Sequence, residues 1–316
     1  FGRKMESLAQ TMNISKMALD DNFTNSSFNC PIDGFKQVIY PIMYLFIFFL
    51  GTVGNGLSVY VFFQHSKRTS VNIYMQNLAI SDLMFVSTLP FRATYFLLGS
   101  RWIFGDITCR LMTYSLYVNM YGSIYFLTVL SVVRFIAVVY PFKHRQITNT
   151  KDAKIICAAI WVFVLAAACP MLNNRVAGYN NAVKCLDLHP SNTPRLFMMN
   201  SFVLVVGFIL PFCTIVFCYV FTIRALLKSR TLQNKRVVCH KKALLTIIIT
   251  LILFLVCFLP YHVLRTVHLM YSDYNKANLP VHKALVVTLC LAATNSCFDP
   301  ILYYFAAENF KAKMRS

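Results

Sequence analysis

Charge is scarce in this sequence. Only 13% of its 316 residues are Asp, Glu, Lys or Arg, against about a quarter in a soluble domain. That shortage excludes an ordinary water-soluble fold of this length. Acids are scarcer still, 11 against 30 Lys and Arg, for a net charge of +19. No internal period of roughly 20–50 residues recurs, which excludes a solenoid or propeller. No long alternation of apolar and polar residues occurs, which excludes a membrane barrel. No nucleophile–base pair or metal-ligand spacing stands out, and this argues against an enzyme.

What is present is apolar: 58% of residues are hydrophobic, with 28 Phe. Seven stretches are long enough to cross a hydrocarbon layer of about 30 Å, which takes roughly 20 helical residues. They run Val38–Phe63, Val71–Leu98, Cys109–Tyr140, Ile155–Leu172, Leu196–Ile223, Ala243–Leu264 and Ala284–Ala306. In lipid the backbone must satisfy its own hydrogen bonds, so each is predicted to be a helix. The expected fold is an all-α membrane protein, a seven-transmembrane helix bundle with a short amphipathic eighth helix. Residues 1–35 read as a polar outer tail and 36–306 as the bundle. Residues 307–316 place Phe310 and Met314 four apart among Lys311, Lys313 and Arg315, the pattern of a helix lying on membrane lipid. The chain opens on Phe1 with no cleavable signal peptide in view, as expected of a trimmed chain.

Seven crossings put the two termini on opposite sides. With the N-terminus outside, Lys and Arg crowd the inner segments, above all Arg224–Lys242, while Asp152 and Glu308 are the acids left inside. Because the basic residues flank membrane spans, nucleic acid is not an expected partner. The sequons at Asn13, Asn22 and Asn25 precede the first span, where glycosylation requires the outside. Cys30, Cys109 and Cys185 would face the oxidising side. A bridge between Cys109 and Cys185 would pin the second outer loop across the bundle mouth, leaving Cys30 free or paired between chains. Prolines at 90, 170, 211, 260 and 300 interrupt five spans, as static kinks or as hinges.

Ionisable residues inside a bilayer are costly and mark function. Asp82 in "NLAISDL" and Asp299 in "NSCFDPILYYF" share a depth with Asn55, Asn119, Ser123, Asn295 and Ser296. Hard oxygen ligands of this kind suit a sodium ion; a hydrogen-bonded network with a neutral acid is the alternative. On the outer half, "CFLPYHVLRTVH" supplies Tyr261, His262, Arg265 and His268, with Arg92 at similar depth and Tyr117 and Tyr121 one turn apart. Tyr44, Lys36, Lys184, His282 and Lys283 could rim the mouth, or the lysines could snorkel to headgroups. Such a pocket suits a ligand with carboxylate or phosphate groups and a large apolar body.

These pieces resemble the class A (rhodopsin-like) G-protein-coupled receptors from Gln37 to Phe310. The matching motifs are "GNGL", "NLAISDL", Cys109 with Cys185, Trp161, Pro211, Tyr219, "CFLPY" and "DPILYYF", in order. Within that class, "YSLYVNMYGSIYFLTVLSVVRF" and "LAATNSCFDPILYYF" are similar to the cysteinyl leukotriene receptors, the type 2 branch more than the type 1. The resemblance implies a cysteinyl leukotriene ligand, held at Arg92, Tyr117, Tyr121, Tyr261 and Arg265. It implies coupling to a heterotrimeric G protein of the phospholipase C–calcium branch (Gq/11 type) at the plasma membrane. It also implies an allosteric sodium ion at Asp82, Asn119, Ser123, Asn295 and Asp299. Arg134, Tyr219 and Tyr303 take the coupling positions, and Phe258 the switch position.

Three departures stand out. Val133-Arg134-Phe135 replaces the usual acid–Arg–Tyr, Phe258 replaces the usual Trp, and Cys30 has no cysteine in the third outer loop to pair with. The first predicts a weakly latched resting state. A nucleotide receptor of the purinergic-like branch, which shares His-x-x-Arg at His262 and Arg265, is the competing ligand assignment. An ion-coupled transporter is a remote one, because repeats and paired broken spans are missing.

Overall fold

The computed structural model describes residues 31–65, 69–141, 149–173, 177–179, 182–185, 193–228, 234–271 and 279–306. Asn13, Asn22, Asn25, Cys30 and the expected eighth helix at 307–316 lie outside them.

Six helices among the described residues are long and apolar enough to cross a membrane. Span 1 is Pro31–His65, span 3 is Gly105–Val139, span 4 is Thr150–Ala168 and span 7 is Leu279–Ala306. Span 5 is built from Thr193–Val203, Leu204–Ile209 and Leu210–Lys228, and span 6 from Asn234–Leu253, Phe254–Phe258 and Leu259–Tyr271. The remaining crossing, span 2, is two pieces, Ser70–Val86 and Leu89–Leu97. Its break falls just before Pro90, which sits at the start of the second piece where its missing N–H costs nothing. The fold is therefore the seven-helix bundle expected, with one addition. Two short antiparallel strands, Ala177–Tyr179 and Ala182–Lys184, follow span 4. The Cys109–Cys185 disulfide ties the end of this hairpin to the top of span 3.

The helices run past the apolar stretches at most ends, because a helix continues into the polar flank once it leaves hydrocarbon. Prolines shape them differently from one another. Pro170 falls in a tight 3₁₀ turn closing span 4, and Pro300 is accommodated inside span 7. Pro211 and Pro260 each follow a wide π turn, Leu204–Ile209 and Phe254–Phe258. Pro41 lies inside span 1, a position the sequence reading passed over.

Lipid offers apolar side chains no reason to prefer protein, so close packing and interhelical hydrogen bonds hold such a bundle. Span 3 is central, packing on spans 2, 4, 5 and 6. Gly54 lets span 1 lie against span 7: a Cβ there would sit 2.7 Å from Pro300 Cγ. One residue on, the buried Asn55 Nδ2 donates to the Ser296 carbonyl at 2.7 Å. On span 4, Trp161 Nε1 donates to Asn77 Oδ1 of span 2 at 3.0 Å. The opposite faces show large apolar side chains outward, such as Phe46, Phe49, Phe63, Ile155, Val162 and Met198.

Candidate ligand-binding site and buried polar layer

An open cleft lies between spans 3, 4, 5 and 6, in the half of the bundle that carries the Cys109–Cys185 bridge. Apolar side chains line most of it, among them Phe163, Val164, Met171, Met199, Phe202 and Val203. Its polar groups are Tyr117, Tyr121, Tyr125, Asn200 and Arg265. The three tyrosines recur every four residues on span 3 and so share one face. Tyr117 and Tyr121 have nearly parallel rings 6.4 Å apart. The Arg265 guanidinium stands over the Tyr117 ring, 5.9 Å from its centre, and beside the Tyr261 and Tyr121 phenols. Neither ion pair between described residues involves Arg265; they join Lys36 to Asp33 and Arg110 to Asp106. The cleft thus offers a cation with aromatic neighbours and an apolar body.

His262 is not among the side chains that line the cleft. It is buried, stacked on Phe208 at 4.6 Å. Its Nδ1 donates to the Phe258 carbonyl at 2.8 Å. Nε2 is then the acceptor, and the Tyr121 hydroxyl, 3.4 Å away, points its proton there. His262 positions Tyr121.

Arg92 does not line the cleft. It is 2% exposed, donates to the Met112 carbonyl at 2.6 Å and stands beside Tyr40 and Tyr44. Its Nε has no partner among the described residues. Tyr261, buried at 2% exposure, faces both arginine clusters. Lys36 and His282 sit higher, at the mouth, where Lys36 lies 3.9 Å from Asp33 and His282 touches His268. The structure therefore brings together Tyr117, Tyr121 and Arg265, with Tyr261 behind them, and keeps Arg92, His282 and Lys36 apart from that group.

Two contributors escaped the sequence reading. Tyr125 donates to the Val206 carbonyl at 2.8 Å. Gly207 makes room for Tyr121, whose ring would lie 2.9 Å from a Cβ there. Tyr125 was reachable from its four-residue spacing; Gly207 had no signal.

Deeper, a polar layer crosses spans 1, 2, 3 and 7. Asp82 Oδ1 accepts from Asn119 Nδ2 at 2.9 Å and from Ser296 Oγ at 2.8 Å. Asn295 Nδ2 donates to Asp299 Oδ2 at 3.2 Å. The Asp82 carboxylate also faces Asp299 and the Tyr303 phenol, while Asn295 Oδ1 and Ser123 Oγ are buried with no hydrogen-bond partner among the described residues. Buried polar atoms are normally satisfied. A cluster of buried oxygens around two carboxylates that face each other fits a small hard cation. Phe258, fully buried in the π turn of span 6, lies between His262 and this layer, and Arg134 and Tyr219, further along spans 3 and 5, are half-buried. Val133, beside Arg134, is 6% exposed.

A seven-helix membrane bundle with an open cleft at one end over a buried polar layer has the architecture of a ligand-binding receptor. Residues 54–303 match the family 7 transmembrane receptor (rhodopsin family), and the chain belongs to it. It is accordingly a multi-pass membrane protein and a receptor, not an enzyme. It is 53% identical over 316 residues to human (Homo sapiens) cysteinyl leukotriene receptor 2, covering 99% of this chain and 91% of that protein. To the mouse (Mus musculus) cysteinyl leukotriene receptor 2 it is 54% identical, over 92% of this chain and 94% of that protein. To human cysteinyl leukotriene receptor 1 it is 39% identical, over 93% and 89%.

Proposed function

We propose that this chain is a plasma-membrane receptor, N-terminus outside, for cysteinyl leukotrienes, coupling to G proteins of the phospholipase C–calcium branch. The observation that carries the ligand class is Arg265: a guanidinium over Tyr117 in an apolar cleft, with no carboxylate paired to it among the described residues. A carboxylate of the ligand takes the guanidinium, tyrosine hydroxyls add donors, and the lipid chain fills the apolar part. The relatives named above carry the same ligand class in their names. Differential affinity for two bundle packings then shifts the receptor population. Asp82, Asn119, Ser123, Asn295 and Asp299 would hold a sodium ion, which supplies charge compensation in the polar layer. Glycosylation at Asn13, Asn22 and Asn25 accords with an outer tail.

Calcium release in cells expressing the chain, challenged with a leukotriene panel beside a nucleotide panel, tests the reading. Leukotriene responses lost in Arg265→Ala, with surface expression retained, are expected. A response to nucleotides alone replaces the ligand assignment with the purinergic-like one.

A further inference from the structure

Above the cleft, His268 of span 6 and His282 of span 7 face each other with ring centres 5.0 Å apart and planes tilted by 41°. Both rings are half-buried, and they come from different helices. Among the described residues, no hydrogen bond occupies a ring nitrogen of either. Neutral imidazole is the commonest ligand of transition metals in proteins. Two imidazoles on one tetrahedral zinc, each nitrogen about 2.0 Å from the metal, set their ring centres roughly 5 Å apart.

We propose that His268 and His282 form a two-histidine site for a divalent transition metal, zinc fitting best, that fastens the outer end of span 6 to span 7. No group of three His, Cys, Asp or Glu suited to a metal occurs among the described residues. Water therefore completes the shell, and affinity is modest. Lys36 stands beside both rings and opposes a dication. Asp33, 3.9 Å from the Lys36 ammonium and acting on His282, offsets it. His268 lies one turn beyond Arg265 on the same helix, so the bridge also fixes the segment that presents Arg265. The site is independent of which anionic ligand the cleft takes.

The test uses the full chain in lipid nanodiscs. Thermal melts with zinc chloride are compared with melts in magnesium chloride, since imidazole has little preference for magnesium. Cobalt titration reads the coordination shell by visible absorption. Zinc is expected to raise Tm through preferential binding to the folded state, and magnesium is not. His268→Ala and His282→Ala should each abolish the zinc shift and the cobalt band while melting like the parent without metal. Where an alanine variant folds poorly, the glutamine variant of the same position gives the same readout. No zinc shift in the parent, an equal shift with magnesium, or a shift retained in either single variant overturns the site.

Discussion

The Tyr125 hydroxyl donates to the Val206 carbonyl at 2.8 Å, and Pro211 is the reason that carbonyl is available. In the wide turn of span 5 the Leu210 N–H reaches back five residues to the Val205 carbonyl. In the same register Val206 awaits the N–H of residue 211, and proline has none. Tyr125 fills the gap from span 3. Tyr125→Phe keeps the ring and deletes the donor, which leaves a carbonyl unpaired at a cost of about 1–3 kcal/mol. The variant is expected to melt at a lower Tm in detergent than the parent. Identical melting curves would show that the carbonyl finds another partner.

Gly207 lies under Tyr121. A Cβ there would approach Tyr121 Cε1 to 2.9 Å and Cδ1 to 3.0 Å. The ring cannot yield freely, because its hydroxyl is held towards His262 and its far side lies near Tyr117. Gly207→Ala normally favours a helix by up to about 1 kcal/mol, so the sign of its effect separates the two influences. We expect the clash to dominate at the cleft. Agonist potency should fall by roughly tenfold, equivalent to about 1.4 kcal/mol, with surface expression retained. Unchanged potency would mean that Tyr121 does not have to hold this position for binding.

The crossings were legible in the sequence because hydrocarbon imposes a length and an apolar composition that few other constraints mimic. Asp82, Asn119, Asp299 and Ser296 were legible for a related reason: polar side chains among apolar ones at one depth must meet each other, and they do. The π turns before Pro211 and Pro260 were not legible. A proline announces a lost hydrogen bond, but a break, a 3₁₀ turn, a π turn or a tolerated kink all answer that loss, and this chain uses each. Arg92 and Arg265 looked equivalent in depth and flanking chemistry. Their difference lies in side-chain direction: Arg92 turns back to the Met112 carbonyl and Arg265 faces the cleft. The place of His262 was hidden for the same reason, since its nearness to Arg265 in the sequence could not reveal the Phe258 carbonyl waiting for its Nδ1.

The polar layer yields a prediction about ions. Asp82 is wholly buried, with one oxygen accepting two hydrogen bonds and the carboxylate facing Asp299 and the Tyr303 phenol. An ion that binds the folded bundle stabilises it in proportion to its occupancy. Sodium chloride is therefore expected to raise Tm above the value in choline chloride at equal ionic strength. Asp82→Asn removes the charge at nearly constant shape and should erase the sodium-specific increment. A sodium increment that survives in Asp82→Asn would move the ion elsewhere and leave the layer as a hydrogen-bond network.

Arg134 follows Val133, so no carboxylate precedes it in the chain. Val133 is 6% exposed, packed into the core at the inner end of span 3. An acid at this position adds a carboxylate within reach of the neighbouring guanidinium, because the long arginine stem can fold back along its own helix. Such a partly buried pair need supply only about 1 kcal/mol to shift a two-state ratio roughly fivefold. Val133→Asp is accordingly expected to lower agonist-independent calcium-pathway signalling at matched surface expression. Val133→Asn, equally polar but uncharged, serves as the control for the cost of burying a polar group, and its basal signalling should stay above that of Val133→Asp. Equal basal signalling in the two variants would assign the effect to packing around Val133 and remove charge latching of Arg134 from the account.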